Sequence, residues 1–373
     1  MAYLGNRDTR DNVVLTGIDA ALLENWRLRD GSTYAEVVAM AEAALGAFNL
    51  GVFNDPFWSM IVSYTDQLET RYNIGTASEM VKHTEYGRPD PERASVAGHM
   101  LPLVKWDKML GWTADYLEEA RVTDLQADIA MGLQSVENTW RKALLQRLLK
   151  RGDESGIANG LSTTGLSPGF ATAAASTGVD FAPPSYAGTT FDTSHEHYVG
   201  ITGGAFTAAV FVDAKNELME HGHEPPYEFL IGPSDEAAVT ALTAGGFVSV
   251  NEALINAAIT AAQTTFTGAP VNGKRPIGAI ENFRIWVVPG IPQYYGFGFK
   301  SYGSNNVRNP LRVRLADGET SPRIRLYRDS NAPGLYAIQN LMLQTRFGVG
   351  VGDRTNGTSR YVNSATWADG VAA

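Results

Sequence analysis

Residues 123–151 constrain this chain more than any other stretch, because they read as one uninterrupted amphipathic helix. Apolar side chains recur at Leu125, Ile129, Leu133, Val136, Trp140, Leu144 and Leu148. These steps of four and three keep one face apolar along the whole length. Thr123 and Asp124 offer N-cap oxygens just before the pattern begins. Lys150 and Arg151 put positive charge in the last turn, and Gly152 can end it. At ~1.5 Å per residue the rod is ~40 Å long, the width of a small domain. Other parts of the chain are expected to lie against it.

The totals bound what those other parts do. A chain of 373 residues has room for two or three folding units, and 44% hydrophobic with 19% charged residues is a globular balance. The formal net charge of −10 argues against a protein built to grip nucleic acid, which needs clustered Lys and Arg. The absence of cysteine excludes disulfides, thiolate nucleophiles, and Cys-ligated zinc or iron–sulfur sites. The first ten residues are polar and lack the apolar centre of a signal peptide. No apolar run approaches the ~20 residues that span a bilayer. A protein of the cytosol, or one assembled there, is expected.

Residues 1–55 read as an arm with a weak helix at 19–27 and a better one at 32–48, the latter capped by Ser32 and carrying Tyr34, Val37, Val38, Ala41, Ala44 and Leu45 on one face. Neither has the apolar surface to fold alone, so the arm must rest on its own subunit or on a neighbour. A dense apolar cluster follows, from Phe57 to Tyr64. Residues 79–108 then read as two extended segments around a polar tip at 85–93, which holds Gly87, Pro89 and Pro91. A hairpin this long is marginal in isolation and needs an external surface. The glycine-rich passage 152–169 reads as a crossover into a second unit. That unit alternates a helix at 204–221, a strand at 227–231, helices from Ser234 to Leu242 and at 251–262, and a strand at 283–288, an α/β or α+β pattern around a central sheet. Residues 336–362 read as strand, turn, strand, with Asn356-Gly357 as a hairpin-type turn.

Candidates for chemistry are few. His195-Glu196-His197 and His221-Gly222-His223-Glu224 could ligate a divalent metal, since His-x-His on a strand turns both rings to one side. Against this, His221 and His223 fall at a predicted helix C-terminus, where the dipole favours histidine. There is no HExxH, no GxSxG elbow, no dinucleotide fingerprint and no phosphate loop. Glu118 and Glu119 are adjacent, so on a helix they diverge. Arg308, Arg312, Arg314, Arg323, Arg325 and Arg328 form a basic interval in which 312/314 and 323/325 would share strand faces; protein contacts are the preferred reading over a nucleic-acid groove. No catalytic, cofactor-binding or metal residue is assigned.

The order of parts resembles the major capsid protein of a tailed bacteriophage, with the Hong Kong 97-type shell fold. The resemblance rests on an arm, a polar-tipped hairpin at 79–108, a long helix at 123–151, and a glycine-rich entry through Arg151-Gly152-Asp153-Glu154-Ser155-Gly156 into an α/β domain. It rests also on the phrase Phe229-Leu230-Ile231-Gly232-Pro233-Ser234-Asp235 and the closing Arg346-Phe347-Gly348-Val349-Gly350-Val351. It implies an α+β fold with an N-terminal arm (1–65), an E-loop hairpin (66–112), a peripheral domain with its spine helix (113–159), an axial domain (160–333), and return strands with the C-terminus (334–373). It further implies a non-enzymatic structural protein of the virion, without cofactor, that assembles with copies of itself into hexamers and pentamers of an icosahedral shell around double-stranded DNA. The early start of the arm implies a separate scaffolding protein; portal and decoration proteins are further expected partners, and membrane is not. Some family members crosslink a hairpin lysine to an asparagine; Lys82, Lys105, Lys108, Asn356 and Asn363 have the residue types without a pairing motif. The alternatives are a nanocompartment shell protein of the same fold and, behind it, a His-ligated metal enzyme.

Overall fold

In the computed structural model, which describes residues 27–53, 55–73, 96–158, 161–166, 168–171, 183–187, 189–192, 194–249, 273–329 and 338–370, the long helix spans Val122–Leu149. All seven residues of its expected apolar face are buried. Its start lies just before Thr123. The Asp30 carboxylate accepts from Val122 N at 2.8 Å, and Asp124 reaches back to Arg121 N at 2.9 Å. Two carboxylates thus satisfy amides at the positive end of the helix. The bond from Val122 N, with a second from Ser32 N at 3.0 Å, holds the Asp30 carboxyl below the usual carboxylate range.

In chain order the elements are α1 (Tyr34–Gly51), α2 (Pro56–Ser59), β1 (Val62–Thr65), β2 (Glu69–Asn73), β3 (Val96–Met100), β4 (Val104–Thr113), α3 (Ala114–Glu119), α4 (Val122–Leu149), β5 (Glu154–Ala158), β6 (Leu161–Leu166), β7 (Tyr198–Gly200), α5 (Ala208–Glu220), β8 (Tyr227–Ile231), α6 (Glu236–Thr240), β9 (Val248–Ser249), β10 (Arg275–Ile280), β11 (Phe283–Val287), β12 (Tyr295–Phe299), β13 (Leu311–Leu315), β14 (Ile324–Asp329), β15 (Ile338–Val351) and β16 (Thr358–Tyr361). They form two compact units. The first holds Met1–Asn54, Lys105–Trp140 and Ser321–Phe347; the second holds Asp55–Val104, Arg141–Thr320 and Gly348–Ala373.

In the first unit, α1 is capped by Thr33 rather than Ser32. Thr33 accepts from Glu36 N, and the Glu36 carboxylate accepts from Thr33 N at 2.8 Å, a reciprocal capping box. Tyr34 meets Trp112 edge-on at 6.2 Å, and Asn49 bonds both the N–H and the C=O of Ile324. This part of the arm therefore rests on its own subunit, one of the two placements its sparse apolar face allows. β15 pairs with β14 antiparallel and also with β4. Trp140, fully buried, packs against Phe53 at 5.3 Å and Phe347 at 5.0 Å.

The second unit is built on a seven-stranded mixed sheet in the order β7-β16-β12-β8-β11-β10-β9. The expected strands at 227–231 and 283–288 are its β8 and β11, paired in parallel. Helix α5 lays Val210, Phe211, Ala214 and Leu218 into one core with Phe229, Phe283 and Ile285. It starts later than residue 204 and is closed by Gly222 at φ 76°, a left-handed turn that favours glycine. Ser234 caps nothing: Pro233–Asp235 is a 3₁₀ turn, and α6 has no side-chain cap bond.

Three expectations change. The segment 336–362 is not a hairpin, because β15 and β16 lie in different sheets and β16 sits between β12 and β7. The reason is Asn356, which is fully buried: its Oδ1 accepts from Lys300 N, and its Nδ2 donates to the Lys300 and Arg308 carbonyls. The glycine-rich passage contains an antiparallel pair, β5 with β6. The hairpin's outgoing strand is β2, earlier than residue 79, paired Glu69 to Met100. The tip at 85–93, most of the helix at 19–27 and the helix at 251–262 lie outside the described residues. No helix among the described residues is long and apolar enough to cross a membrane.

Candidate functional site

The densest group of ionisable side chains lies in the second unit, at the mouth of β7 and the C-terminal end of α5. His195 and His197 lie in the irregular segment just before β7, with His197 at a bend. His197 N donates to Ala171 O and its C=O accepts from Ser359 N, both at 2.8 Å, which fixes the strand direction. The two imidazoles meet, as expected of the pair, but on irregular backbone rather than on the strand that the spacing suggested. His221 caps α5, and the turn at Gly222 leaves its ring facing theirs. The three Nε2 atoms lie 2.9–3.0 Å apart. Glu220 Oε1 is 3.2 Å from His195 Nε2 and 3.8 Å from His221 Nε2. One ligand atom from each of the four residues falls within 4.8 Å of the others.

Burial sets the electrostatics. It pushes His197 down to about 3 and His221 down to about 2, with the neighbouring imidazoles adding to the effect. His195 is lowered by burial and partly restored by Glu217 and Asp192. Glu220 is raised to about 6, first by burial and then by Glu217. Glu217 itself is 2.8 Å from the fully buried Arg360 and accepts from Thr358 Oγ1 at 2.6 Å.

The other residues singled out from the sequence go elsewhere. His223 faces Tyr302 Oη at 2.8 Å and Thr355 Oγ1 at 3.1 Å, away from the trio. Glu196 pairs with Arg151 at 2.8 Å. The carboxylate that joins the histidines is Glu220, which sequence reasoning missed; its signal was adjacency to His221 at the helix end. Arg312 and Arg314 share a face of β13 and donate to the Val307 and Leu101 carbonyls. Arg308 stacks on Tyr302 at 4.2 Å. Arg325 stands exposed on β14 with Tyr327, and Arg323, also exposed, lies just before the strand. Glu118 and Glu119 end α3.

The first unit carries a surface of another kind. Met109 on β4, Tyr116 on α3 and Met131 on α4 are 56%, 41% and 56% exposed. They line an open groove of about 530 Å³ whose floor includes Trp112, held by its Nε1–H to Asp128 at 2.8 Å. Clustered apolar groups that stay in water mark an interaction surface more often than chance.

No known protein family matches the chain, and no curated protein matches it. Solved structures do. A chain from Mycobacterium phage Patience aligns over 96% of both chains with a TM-score of 0.63 and 16% identity. Chains from the capsids of Cyanophage P-SCSP1u and Ralstonia phage GP4 align over 83% of this chain, and 88% and 92% of theirs, each with a TM-score of 0.49 and 11% identity. Along nearly its whole length, the chain has the α+β fold of the protein from Mycobacterium phage Patience.

Proposed function

We propose that this chain is the major capsid subunit of a tailed phage, a structural protein that assembles with copies of itself into an icosahedral shell around double-stranded DNA. The observation that carries the reading is the full-length agreement of fold with a phage protein. The order of parts supports it independently: arm, hairpin, long helix, sheet domain, returning strand. In this reading the Hong Kong 97-type divisions apply, with the hairpin from β2 to β3 as the E-loop, α4 as the spine helix and the seven-stranded sheet as the axial domain.

Assembly accounts for features that a lone subunit leaves idle. The groove at Met109, Tyr116 and Met131, which Lys108 and Asp128 also line, is suited to a second copy, and obligate interfaces of this kind bury about 2,000–5,000 Å² or more. The net charge of −10 suits a wall that contains DNA without adhering to it. Hexamers and pentamers, a separate scaffolding protein and a portal belong to the same proposal.

The test is electron microscopy of the purified chain, alone and co-expressed with the scaffolding gene of its own cluster. Closed shells, or rings of five and six, with DNA as the content of mature particles, are expected. A monomer that stays unassembled with scaffold supplied would overturn the reading, and shells filled with a protein cargo would redirect it to a nanocompartment.

A further inference from the structure

Three imidazoles, two of them buried and His195 half-buried, aim one nitrogen each at a common point, the arrangement of a set of metal ligands. The ring centroids of His195, His197 and His221 form a triangle with 4.9 Å sides. Their Nε2 atoms form a triangle with sides of 2.9–3.0 Å. Each corner has moved inward by ~1.1 Å, about the distance from an imidazole centre to its own nitrogen, so all three Nε2 atoms point at the same centre.

The proton position on His197 follows from its outer partner. His197 Nδ1 lies 2.7 Å from the Gly357 carbonyl, which only accepts, so the proton sits on Nδ1 and the Nε2 lone pair faces inward. A second bond of this kind, from ring N–H to backbone carbonyl, is the usual support for a metal-bound histidine. Phe191 packs on the rings of His195 and His221, with centroids at 4.8 and 4.4 Å, and holds them in place. With the His197 lone pair facing inward, the inner nitrogens of His195 and His221 and the Glu220 carboxylate, 3.2 Å from His195 Nε2, complete a set of donor atoms around one point. A cation at that point satisfies all three lone pairs at once.

We propose that His195, His197, His221 and Glu220 bind one divalent transition-metal ion of the zinc class, which fastens the segment entering β7 to the C-terminal end of α5. The centre of the nitrogen triangle is ~1.7 Å from each Nε2, and an outward shift of ~0.3 Å per ring reaches the ~2.0–2.1 Å of a metal–imidazole bond. Imidazole donors suit zinc, copper, nickel and iron rather than magnesium or calcium. Glu220 Oε1 supplies a fourth donor and one negative charge. The site ties residues 195–197 to residues 220–221 without any cysteine, in a chain that has none. This inference is independent of the shell reading, because it concerns the folded subunit by itself.

The experiment uses the full chain without a histidine tag, treated with chelator, exchanged into metal-free buffer and titrated with Zn²⁺ and Co²⁺ by calorimetry. Metal content is read by mass spectrometry and melting by circular dichroism. One ion per chain is expected, with melting raised on the order of 5 °C at an excess of ~100 Kd. His195→Asn is expected to weaken binding at least ~100-fold, and Glu220→Gln, at the half-buried edge of the group, by ~10-fold. If His195→Asn does not fold, Glu220→Gln alone decides. A folded wild-type chain that takes up no stoichiometric ion overturns the proposal, as do variants that bind as tightly as the wild type.

Discussion

Lys274 Nζ is paired with Asp55 Oδ2, 219 residues away, where the two side chains are only 4% and 2% exposed. The ammonium also lies 5.3 Å and 4.9 Å from the ring centres of Phe57 and Trp58. Asp55 Oδ1 meanwhile accepts from Phe57 N at 2.9 Å and starts α2. One buried cation therefore organises the aromatic cluster that opens the second unit. Replacing it by Lys274→Met takes that cation from a buried carboxylate, which typically costs about 3–5 kcal/mol. The double variant Asp55→Asn/Lys274→Met should lose less than Lys274→Met alone, because no uncompensated charge remains. Urea denaturation measures both, and a single-variant loss below ~1 kcal/mol would contradict the assignment.

His99 gives the fold a defined acid sensitivity. Its ring is buried in β3, with Nε2 3.1 Å from Val351 O. Burial first, then the charges of Arg354, Arg147 and Arg312, push it down to about 3, and the bond to Val351 only partly opposes them. The folded state thus holds His99 neutral, while the unfolded chain protonates it near pH 6.5. Its contribution is full above pH 6.5 and is lost as pH falls toward 3, by up to about 1.4 kcal/mol per pH unit. His99→Gln keeps a donor for Val351 O and removes the titration. Its stability should fall less steeply than the wild type's between pH 6.5 and 4; identical slopes would show that His99 is not held neutral.

Asn356 is expected to behave as a core residue despite its place beside Gly357 in an apparent turn. Its three hydrogen bonds hold the backbone of Lys300 and Arg308, 56 and 48 residues away in sequence. Asn356→Ala leaves those backbone groups without it, and a loss of about 2–4 kcal/mol in chemical denaturation is expected. A change within ~0.5 kcal/mol would place the residue among ordinary surface turns.

That residue also marks where sequence reading stops. The face of α4 was legible to the residue, from Leu125 to Leu148, because a 3.6-residue period lies wholly within a local window. β8 and β11 were legible because short apolar runs, Phe229-Leu230-Ile231 and Ile285-Trp286-Val287, dominate each strand despite Glu228 and Arg284. Asn-Gly signals a hairpin only when its flanking strands pair with each other, and here β16 pairs with β12 and β7, a long-range choice that no local pattern encodes. The same limit applied to the histidines. The spacing of His195 and His197 was visible, but the approach of His221 and Glu220 depends on how α5 packs on the sheet. The start of α4 was misplaced for a similar reason, since its helix-opening carboxylate, Asp30, comes from a distant segment.

The groove of the first unit should separate folding from assembly. Met109 and Met131 are each more than half exposed in the isolated chain, so Met109→Glu and Met131→Glu should change monomer stability by no more than about 0.5 kcal/mol. In a subunit interface the same substitutions put a charge into an apolar contact. Particle yield in co-expression should fall at least several-fold, with the soluble unassembled subunit rising in proportion. Normal yields from both variants would move the contact surface elsewhere.

Residues 85–93 offer a complementary test from the other end of the design. Their glycine, two prolines and mixed charges lack the apolar content that a core or an isolated hairpin needs. The strands at the root do have support within their own unit: Leu101 is fully buried, and His99 is tied to Val351. Excising 85–93 and joining its flanks with a short glycine–serine linker should therefore leave the melting temperature of the monomer nearly unchanged. If the tip reaches a neighbouring subunit, as the shell reading requires, particles should form poorly or dissociate at lower denaturant than the wild type. Particles of unchanged yield and stability would assign 85–93 to the free surface and leave the interface to the groove.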